Sequence, residues 1–181
     1  MQRKIGILLA LSSLPALSLP ALARRQDQSV FKKYLGIQCS LFSETSPLDK
    51  YDIVEMAKSS PVNVCINGKK FDKYDVEYLL QKKITVGISS SNTDFDKYDL
   101  KELLKSGAKV VVTDRESKFD QYDLKELLRA GAKVEVIEHL SNFDKYDLKS
   151  LLAEGATVKI SASRTKLDSY DVKELVEAGA K

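Results

Sequence analysis

The fold is decided by one stretch, Phe95-Asp96-Lys97-Tyr98-Asp99-Leu100, which recurs as Phe119-Asp120-Gln121-Tyr122-Asp123-Leu124 and again as Phe143-Asp144-Lys145-Tyr146-Asp147-Leu148. Weaker copies begin at Leu48, Phe71 and Leu167, so the six start positions differ by 23 residues once and by 24 residues four times. Self-similarity at a fixed period of this length is typical of tandem-repeat proteins. The sequence therefore predicts six repeated units instead of one irregular domain.

Each unit has the local signals of one helix followed by one strand. In the unit at 95, Asp96 and Asp99 occupy the two positions of a capping box, with aspartate in place of the usual glutamate. Apolar residues at helical spacing follow, and Gly107 supplies the left-handed residue that ends a helix. The alternation of apolar and other residues over 109–113 then predicts a strand.

The lengths of the two elements predict how the units stack. A helix of about ten residues and a strand of about five residues both span about 15 Å, so each helix returns the chain to the start of the next parallel strand. Such a crossover is right-handed. We therefore predict an α/β fold, a right-handed βα solenoid of about seven 24-residue repeats with its parallel sheet on the concave side. This architecture resembles the horseshoe of leucine-rich repeats, although the L-x-x-L-x-L-x-x-N signature is absent.

The predicted boundaries follow from the period. We expect a secretory signal peptide at 1–23, since Arg3 and Lys4 precede a short apolar run that ends on Ala21-Leu22-Ala23. A degenerate capping repeat should occupy 24–47, and the six tandem repeats 48–70, 71–94, 95–118, 119–142, 143–166 and 167–181, the last of them incomplete. Helices are expected at 28–35, 50–59, 73–81, 97–106, 121–130, 145–154 and 169–178. Strands are expected at 37–41, 62–66, 84–88, 109–113, 133–137 and 157–161.

Composition excludes several classes of function. The 181 residues carry 29 basic and 26 acidic side chains with no block of like charge, which argues against a nucleic-acid partner. One His and two Cys are too few for a zinc finger or an iron–sulfur cluster. The single apolar stripe of each helix should be used by the core, so a membrane partner is not expected. No nucleophile–base pair or phosphate loop is visible, so we expect no enzyme activity and no cofactor.

Two aspartates per unit form the most conspicuous repeated feature, and they allow two interpretations. The first is helix capping, because a helix N-terminus favours negative charge and each cap contributes about 1 kcal/mol. The second is calcium binding, because Ca²⁺ takes six to eight oxygen ligands. We favour capping, since the glycine-rich turns of calcium-binding β-helix repeats are absent.

One tyrosine per unit stands at the second helical position. Aligned aromatic side chains could stack on sugar rings, but such a row more often fills the seam between repeats and leaves only its hydroxyls in water. We expect the seam, and we retain the tyrosines as the best carbohydrate-binding hypothesis.

The outward-facing strand positions are the candidate binding surface, because they vary while the core positions do not. The candidates are Thr85, Lys109, Val111, Thr113, Lys133, Glu135, Ile137 and Lys159. The single histidine, His139, falls in a return loop, where we expect it to be solvated.

A disulfide between Cys39 and Cys65 is possible in an exported protein. The alternation around each residue, however, predicts that Cys39 points toward the helices with Ile37 and Leu41, whereas Cys65 points away from them. The sequence leaves this bridge open, because the pattern does not fix the Cα separation that a disulfide requires.

Two functions remain. The first is a periplasmic or secreted scaffold that binds a protein, peptide or glycan of the cell envelope on its concave strand face. The second is a structural envelope protein that self-associates end to end, forming a homo-oligomer. This second function follows from the incomplete last unit, which shows no polar outer flank at core residues such as Val176 and would leave the strand at 157–161 with an unpaired edge. The alternative, which we favour, is that the last helix folds over this edge and closes it.

Overall fold

In the part of the chain that the structure describes, six parallel strands alternate with six α-helices, and the strands hydrogen-bond in the order in which they occur along the chain. The structure, a computed structural model, describes residues 29–114 and 118–181, so the predicted signal peptide at 1–23 lies outside the described residues. The strands are β1 (Leu41–Phe42), β2 (Asn63–Ile66), β3 (Thr85–Ser89), β4 (Lys109–Asp114), β5 (Lys133–Ile137) and β6 (Thr157–Lys159). The helices are α1 (Lys50–Ala57), α2 (Lys73–Gln81), α3 (Lys97–Lys105), α4 (Gln121–Arg129), α5 (Lys145–Ala153) and α6 (Ser169–Glu177). The predicted α/β class and the parallel sheet are confirmed.

The aspartates start the helices, as predicted. In α3 the Asp99 amide donates to Asp96 Oδ1 at 2.8 Å, and the Asp96 amide donates to Asp99 Oδ2 at 3.4 Å. The same reciprocal capping box is present at the start of α1, α2 and α5, whereas α4 and α6 keep the bond from the third helical residue to the cap. Each helix therefore begins at the same place in its repeat, which aligns the six helices with one another.

One apolar core lies between the sheet and the helix layer. Each internal helix contributes two fully buried residues, such as Leu100 and Leu103 in α3. The strands contribute apolar residues from one face, such as Val110 and Val112 in β4. Because neighbouring repeats share this core, no repeat could bury its apolar face alone. Among the described residues, no helix is both long enough and apolar enough to cross a membrane.

The strands are staggered, which the repeat period did not predict. Val111 pairs with Lys133 and Thr113 pairs with Glu135, so paired residues are 22 positions apart although the repeats are 24 apart. The same offset joins β2 to β3, β3 to β4 and β5 to β6. From β3 to β6, where the repeats are 24 residues apart, equivalent residues of neighbouring strands are therefore displaced by two positions, about 6.6 Å along the strand.

The N-terminal unit departs from the prediction. Its strand is only β1, two residues long, and the residues before it leave the sheet's edge. The predicted first helix is a single π-helical turn, Phe31–Leu35, which packs on β3 and β4 instead of joining the helix layer. A Cβ at Gly87 would contact Phe31 and Ile37, and the neighbours of Gly87 along β3 face the helices, so this turn lies on the opposite face of the sheet. The expectation of seven helices on one face was wrong.

The outer edge of β6 is partly paired. The Lys181 amide donates to the Val158 carbonyl at 3.0 Å, and the Ile160 amide donates to the Lys181 carbonyl at 2.8 Å. The hypothesis of an open edge therefore fails at these two residues, where Gly179 turns the chain back onto β6 after α6 and Lys181 pairs with the strand.

An ion-pair ladder joins neighbouring helices on the outside of the core. The lysine that opens one helix reaches the third residue of the next helix, as in the pairs Lys50–Asp75 and Lys97–Asp123, both at 2.5 Å. Equivalent pairs are Lys73–Asp99 at 3.4 Å and Lys145–Asp171 at 2.5 Å. Gln121 opens α4 and interrupts the ladder, and an Arg129–Glu154 pair joins α4 to α5 instead. We call these four lysine–aspartate contacts the lysine–aspartate ladder.

The ion pairs between neighbouring helices, in the ladder and beside it, shift the pKa values of their members in the directions that ion pairing requires. The hydrogen bond to Asp123 raises the pKa of Lys97. Lys101, and then Lys97, lower the pKa of the Glu126 carboxyl, to which Lys101 Nζ donates at 2.9 Å. Both shifts stabilise the charged forms, so the helices attract each other most strongly near neutral pH.

We predict that Leu127→Ala in α4 lowers the free energy of unfolding by about 2–5 kcal/mol, because Leu127 is fully buried between two neighbouring repeats that limit collapse of the cavity. Lys125→Ala on the same helix should change it by less than about 0.5 kcal/mol. Urea titration of both variants measures the difference, and equal effects would mean that the helix faces are assigned wrongly.

A second prediction concerns acid. Because the pKa of Glu126 is lower in the folded state than its unfolded value of about 4.3, its contribution is present above that value and is lost as the pH falls through the folded pKa. Lys101→Gln should therefore lose less stability than wild type between pH 7 and about pH 3. Lys133→Gln, which changes an exposed lysine on β5, should behave as wild type in the same urea titrations. Identical acid sensitivity in all three proteins would contradict this account.

Candidate functional site

The predicted binding surface on the sheet is only partly open. Thr85, Lys109 and Lys133 lie at the starts of their strands and are exposed. The remaining candidates lie further along the strands, where Ile137 and Lys159 are half-buried and Val111, Thr113 and Glu135 are buried. The expectation of a continuous open concave face was therefore wrong for the middle of the sheet.

The residues before β1 cover that middle region. We call residues 29–40 the N-terminal strap. Phe31 is fully buried and Ile37 is nearly so, and both lie over Gly87 of β3. Lys109 Nζ reaches the Leu35 carbonyl at 3.5 Å. The strap therefore occupies the surface that the sequence assigned to a ligand.

The sequence contained one signal of this arrangement. Gly87 stands where the equivalent strand positions carry Val111, Glu135 and Lys159. A lone glycine within a strand often marks a site where another backbone segment approaches closely. A Cβ at this position would lie 2.8 Å from Ile37 Cδ1 and 3.0 Å from Phe31 Cδ1, so glycine makes room for the strap.

A disulfide joins the strap to the sheet. Cys39 and Cys65 are bonded with their Cα atoms 5.7 Å apart, and both lie in the small cluster with Phe31 and Ile37. Cys39 therefore faces away from the helices, contrary to the sequence prediction. Residues 37–40 precede β1, so their side chains need not alternate between the two faces of the sheet as they would within a strand. A bridge across 26 residues stabilises a fold by about 3.5 kcal/mol in the loop-closure account.

A buried carboxylate lies beside the strap. The Glu135 side chain is only 6% exposed and its Oε2 is 2.8 Å from Lys159 Nζ, on the neighbouring strand. Lys33 of the strap approaches the same oxygen at 3.7 Å. Burial of a carboxylate is costly unless cations accompany it, so the two lysines account for the position of Glu135.

The tyrosines occupy a different surface, at the N-terminal ends of the helices. We call them the tyrosine row, and each of the six is between 62% and 72% exposed: Tyr51, Tyr74, Tyr98, Tyr122, Tyr146 and Tyr170. The expectation that they fill the seam between repeats was wrong. The eighth helical residues, such as Leu104 and Leu128, are partly buried and pack against the apolar core, because they follow the buried stripe by one position.

Charged groups beside the tyrosine row are paired with one another. Lysines of the ladder lie over the rings of adjacent tyrosines, as for Lys97 and Tyr98, whose ammonium-to-centroid distance is 5.2 Å. Lys145 lies 5.2 Å from the Tyr146 ring and 5.5 Å from the Tyr170 ring. Because the ladder neutralises these lysines, the row presents aromatic rings on a background of balanced charge.

The described aspartates form no metal centre, and His139 is part of no cluster that could hold a metal ion. Within residues 29–114 and 118–181, no three His, Cys, Asp or Glu side chains are grouped so as to hold a metal ion. The paired aspartates instead cap the helices. His139 lies in the 3₁₀ turn Glu138–Leu140 and is half-buried, so the expectation of a fully solvated side chain was wrong.

Comparison with known proteins gives no family. No protein-family description matches the sequence, and no curated protein matches it. Among solved structures, the chain is similar to deoxyribose phosphate aldolase from Aeropyrum pernix, at 18% identity and a TM-score of 0.34, over 92% of this chain and 80% of that chain. A similarity of this size carries no argument about the function of this protein.

Proposed function

We propose that this protein is an exported, non-enzymatic repeat scaffold, built as a right-handed βα solenoid, that binds a neutral linear glycan along the tyrosine row. The observation behind the proposal is the exposure of the same aromatic side chain in all six helices. Large aromatic side chains contribute most to binding when they stand exposed and then become covered by a partner.

The geometry of the row favours an extended polymer with a regular repeat. Packed helices lie about 8–10 Å apart, so successive tyrosines follow one another at about that interval. A linear polysaccharide offers flat sugar faces at a similarly regular interval along its length. Tyrosine rings can stack on those faces, and the capping carboxylates beside them can accept hydrogen bonds from sugar hydroxyls.

The balance of charge favours a neutral glycan over a polyanion. Lys73 and Lys97 reach carboxylates of the following helices, and the resulting hydrogen bonds raise the pKa of both lysines. A bound polyanion would have to compete with those carboxylates for the same ammonium groups. A neutral ligand leaves the ladder intact.

The proposed location outside the cytoplasm rests on two features. The signal-peptide pattern at 1–23 predicts export, and the Cys39–Cys65 disulfide is suited to an oxidising compartment. An envelope or extracellular location would bring the tyrosine row into contact with polysaccharide.

The chain reports on this surface by its own fluorescence, because it has no Trp and six of its eight Tyr belong to the row. Titration with neutral β-1,4-linked oligosaccharides of glucose or of N-acetylglucosamine should change the tyrosine emission, with affinity rising as the oligosaccharide lengthens. Tyr122→Ala should weaken binding about fivefold, which corresponds to about 1 kcal/mol of aromatic stacking.

Tyr34→Ala, a change in the strap, serves as the matched control and should bind the oligosaccharides as wild type does. Failure of every neutral glycan to bind, or equal loss from Tyr122→Ala and Tyr34→Ala, would contradict a glycan site on the row. Stronger binding of polygalacturonate, an acidic glycan, would contradict the charge argument.

Self-association through α6 is the second candidate function. Val176, in the eighth position of α6, is 54% exposed, whereas the equivalent Leu104, Leu128 and Leu152 are partly buried and pack against the apolar core. A second copy of the chain could cover this exposed residue.

Light scattering over a wide concentration range tests this second function. Wild type should increase in mass with concentration, and Val176→Lys should remain monomeric because a charge would be buried in the contact. Leu140→Lys, another exposed apolar position, should associate as wild type does. A wild type that is monomeric throughout would rule out self-association.

A further inference from the structure

The N-terminal strap is attached to the sheet in the manner of a bound ligand. Within the described part of the chain, residues 31–37 make no backbone-to-backbone hydrogen bond to a strand, and their own backbone bonds close the π-helical turn. Backbone pairing with the sheet begins only at Ser40, whose amide donates to the Asn63 carbonyl at 2.9 Å. Side chains therefore hold the first part of the strap in place.

The sheet offers that segment a shaped apolar position. Phe31 is completely buried although it belongs to no strand, and its ring lies over Gly87. Phe42 closes the position from the side, with its ring 6.0 Å from that of Phe31 in an edge-to-face contact. The glycine needs no left-handed backbone here, so its small size is what the position uses.

A charged position accompanies the apolar one. Glu135 is buried and has Lys159 as a constant partner on the sheet, while Lys33 reaches it from the strap with a side chain that is 57% exposed. Removing Lys33 would leave the carboxylate one cation short. The sheet therefore presents an anion that an incoming cation can complete.

We propose that this sheet face is a second binding site, distinct from the tyrosine row, for a short peptide segment that carries a bulky aromatic residue followed two residues later by a lysine or arginine. The strap is its resident occupant. The Cys39–Cys65 disulfide tethers the strap beside the site and keeps its effective concentration high, so that a partner must compete with it.

A labelled synthetic peptide of residues 29–40, with serine in place of Cys39, is the probe. Its fluorescence anisotropy is measured with the full disulfide-bonded chain and with variants. Phe31→Ala weakens the resident strap and leaves the sheet intact, so it should bind the peptide at least about tenfold more tightly than wild type. Gly87→Val fills the apolar position and should abolish binding, since valine occupies the equivalent position of β4 without disturbing the strand.

A second variant guards against loss of folding. Lys33→Ala removes an exposed side chain, so it should leave cooperative urea unfolding intact and still admit the peptide more tightly than wild type. Tyr122→Ala should bind the peptide as wild type does, which separates this site from the tyrosine row. Equal binding by wild type, Lys33→Ala and Gly87→Val, or no binding by any folded variant, would overturn the proposal.

Discussion

The structure depends on one geometric constraint. A helix and a strand of nearly equal length must bring the chain back, about every 24 residues, to the end of the sheet where the next parallel strand starts. The helices from α2 to α6 are each nine residues long, which spans about 13.5 Å, and the longer strands span about 16 Å. Because the return is regular, each repeated residue type becomes a row across the molecule. The core, the lysine–aspartate ladder and the tyrosine row all follow from that regular return.

The same constraint makes the aspartates serve two neighbouring helices. Asp99 caps α3 through the Asp96 backbone and also lies 3.4 Å from Lys73 of α2. A carboxylate in this position already has a backbone N–H and a lysine as partners, which gives a physical reason for capping over metal binding. It also leaves the tyrosines as the repeated side chains of this edge that remain most exposed to a partner.

Positions that differ from the repeated sequence coincide with contacts that the other repeats do not make. Gly87 interrupts the row of strand residues on the face opposite the helices, and there the strap lies against the sheet. Gln121 interrupts the ladder, and Arg129 supplies another contact between α4 and α5. The N-terminal unit departs most, since its turn Phe31–Leu35 packs on β3 and β4 instead of adding to the helix layer. In a protein with so regular a framework, a single residue that breaks the pattern points to a contact that differs at that position.

The sequence by itself determined the six α-helices, the strands from β2 to β6 and their parallel order, because capping residues, apolar periodicity and a fixed repeat are local properties that agree with one another. Every helix from α1 to α6 begins at its predicted residue, and β4 and β5 lie within one residue of prediction. Only the tertiary structure decided three other features: the two-residue stagger of the strands, the path of the strap and the exposure of the tyrosines. Stagger depends on how neighbouring strands tilt, and the strap is placed by contacts between residues far apart in the chain, such as Phe31 and Gly87. The leucines six positions after the tyrosines pack against the core while the tyrosines stay exposed, and which side chain is covered is decided only when the helices pack together.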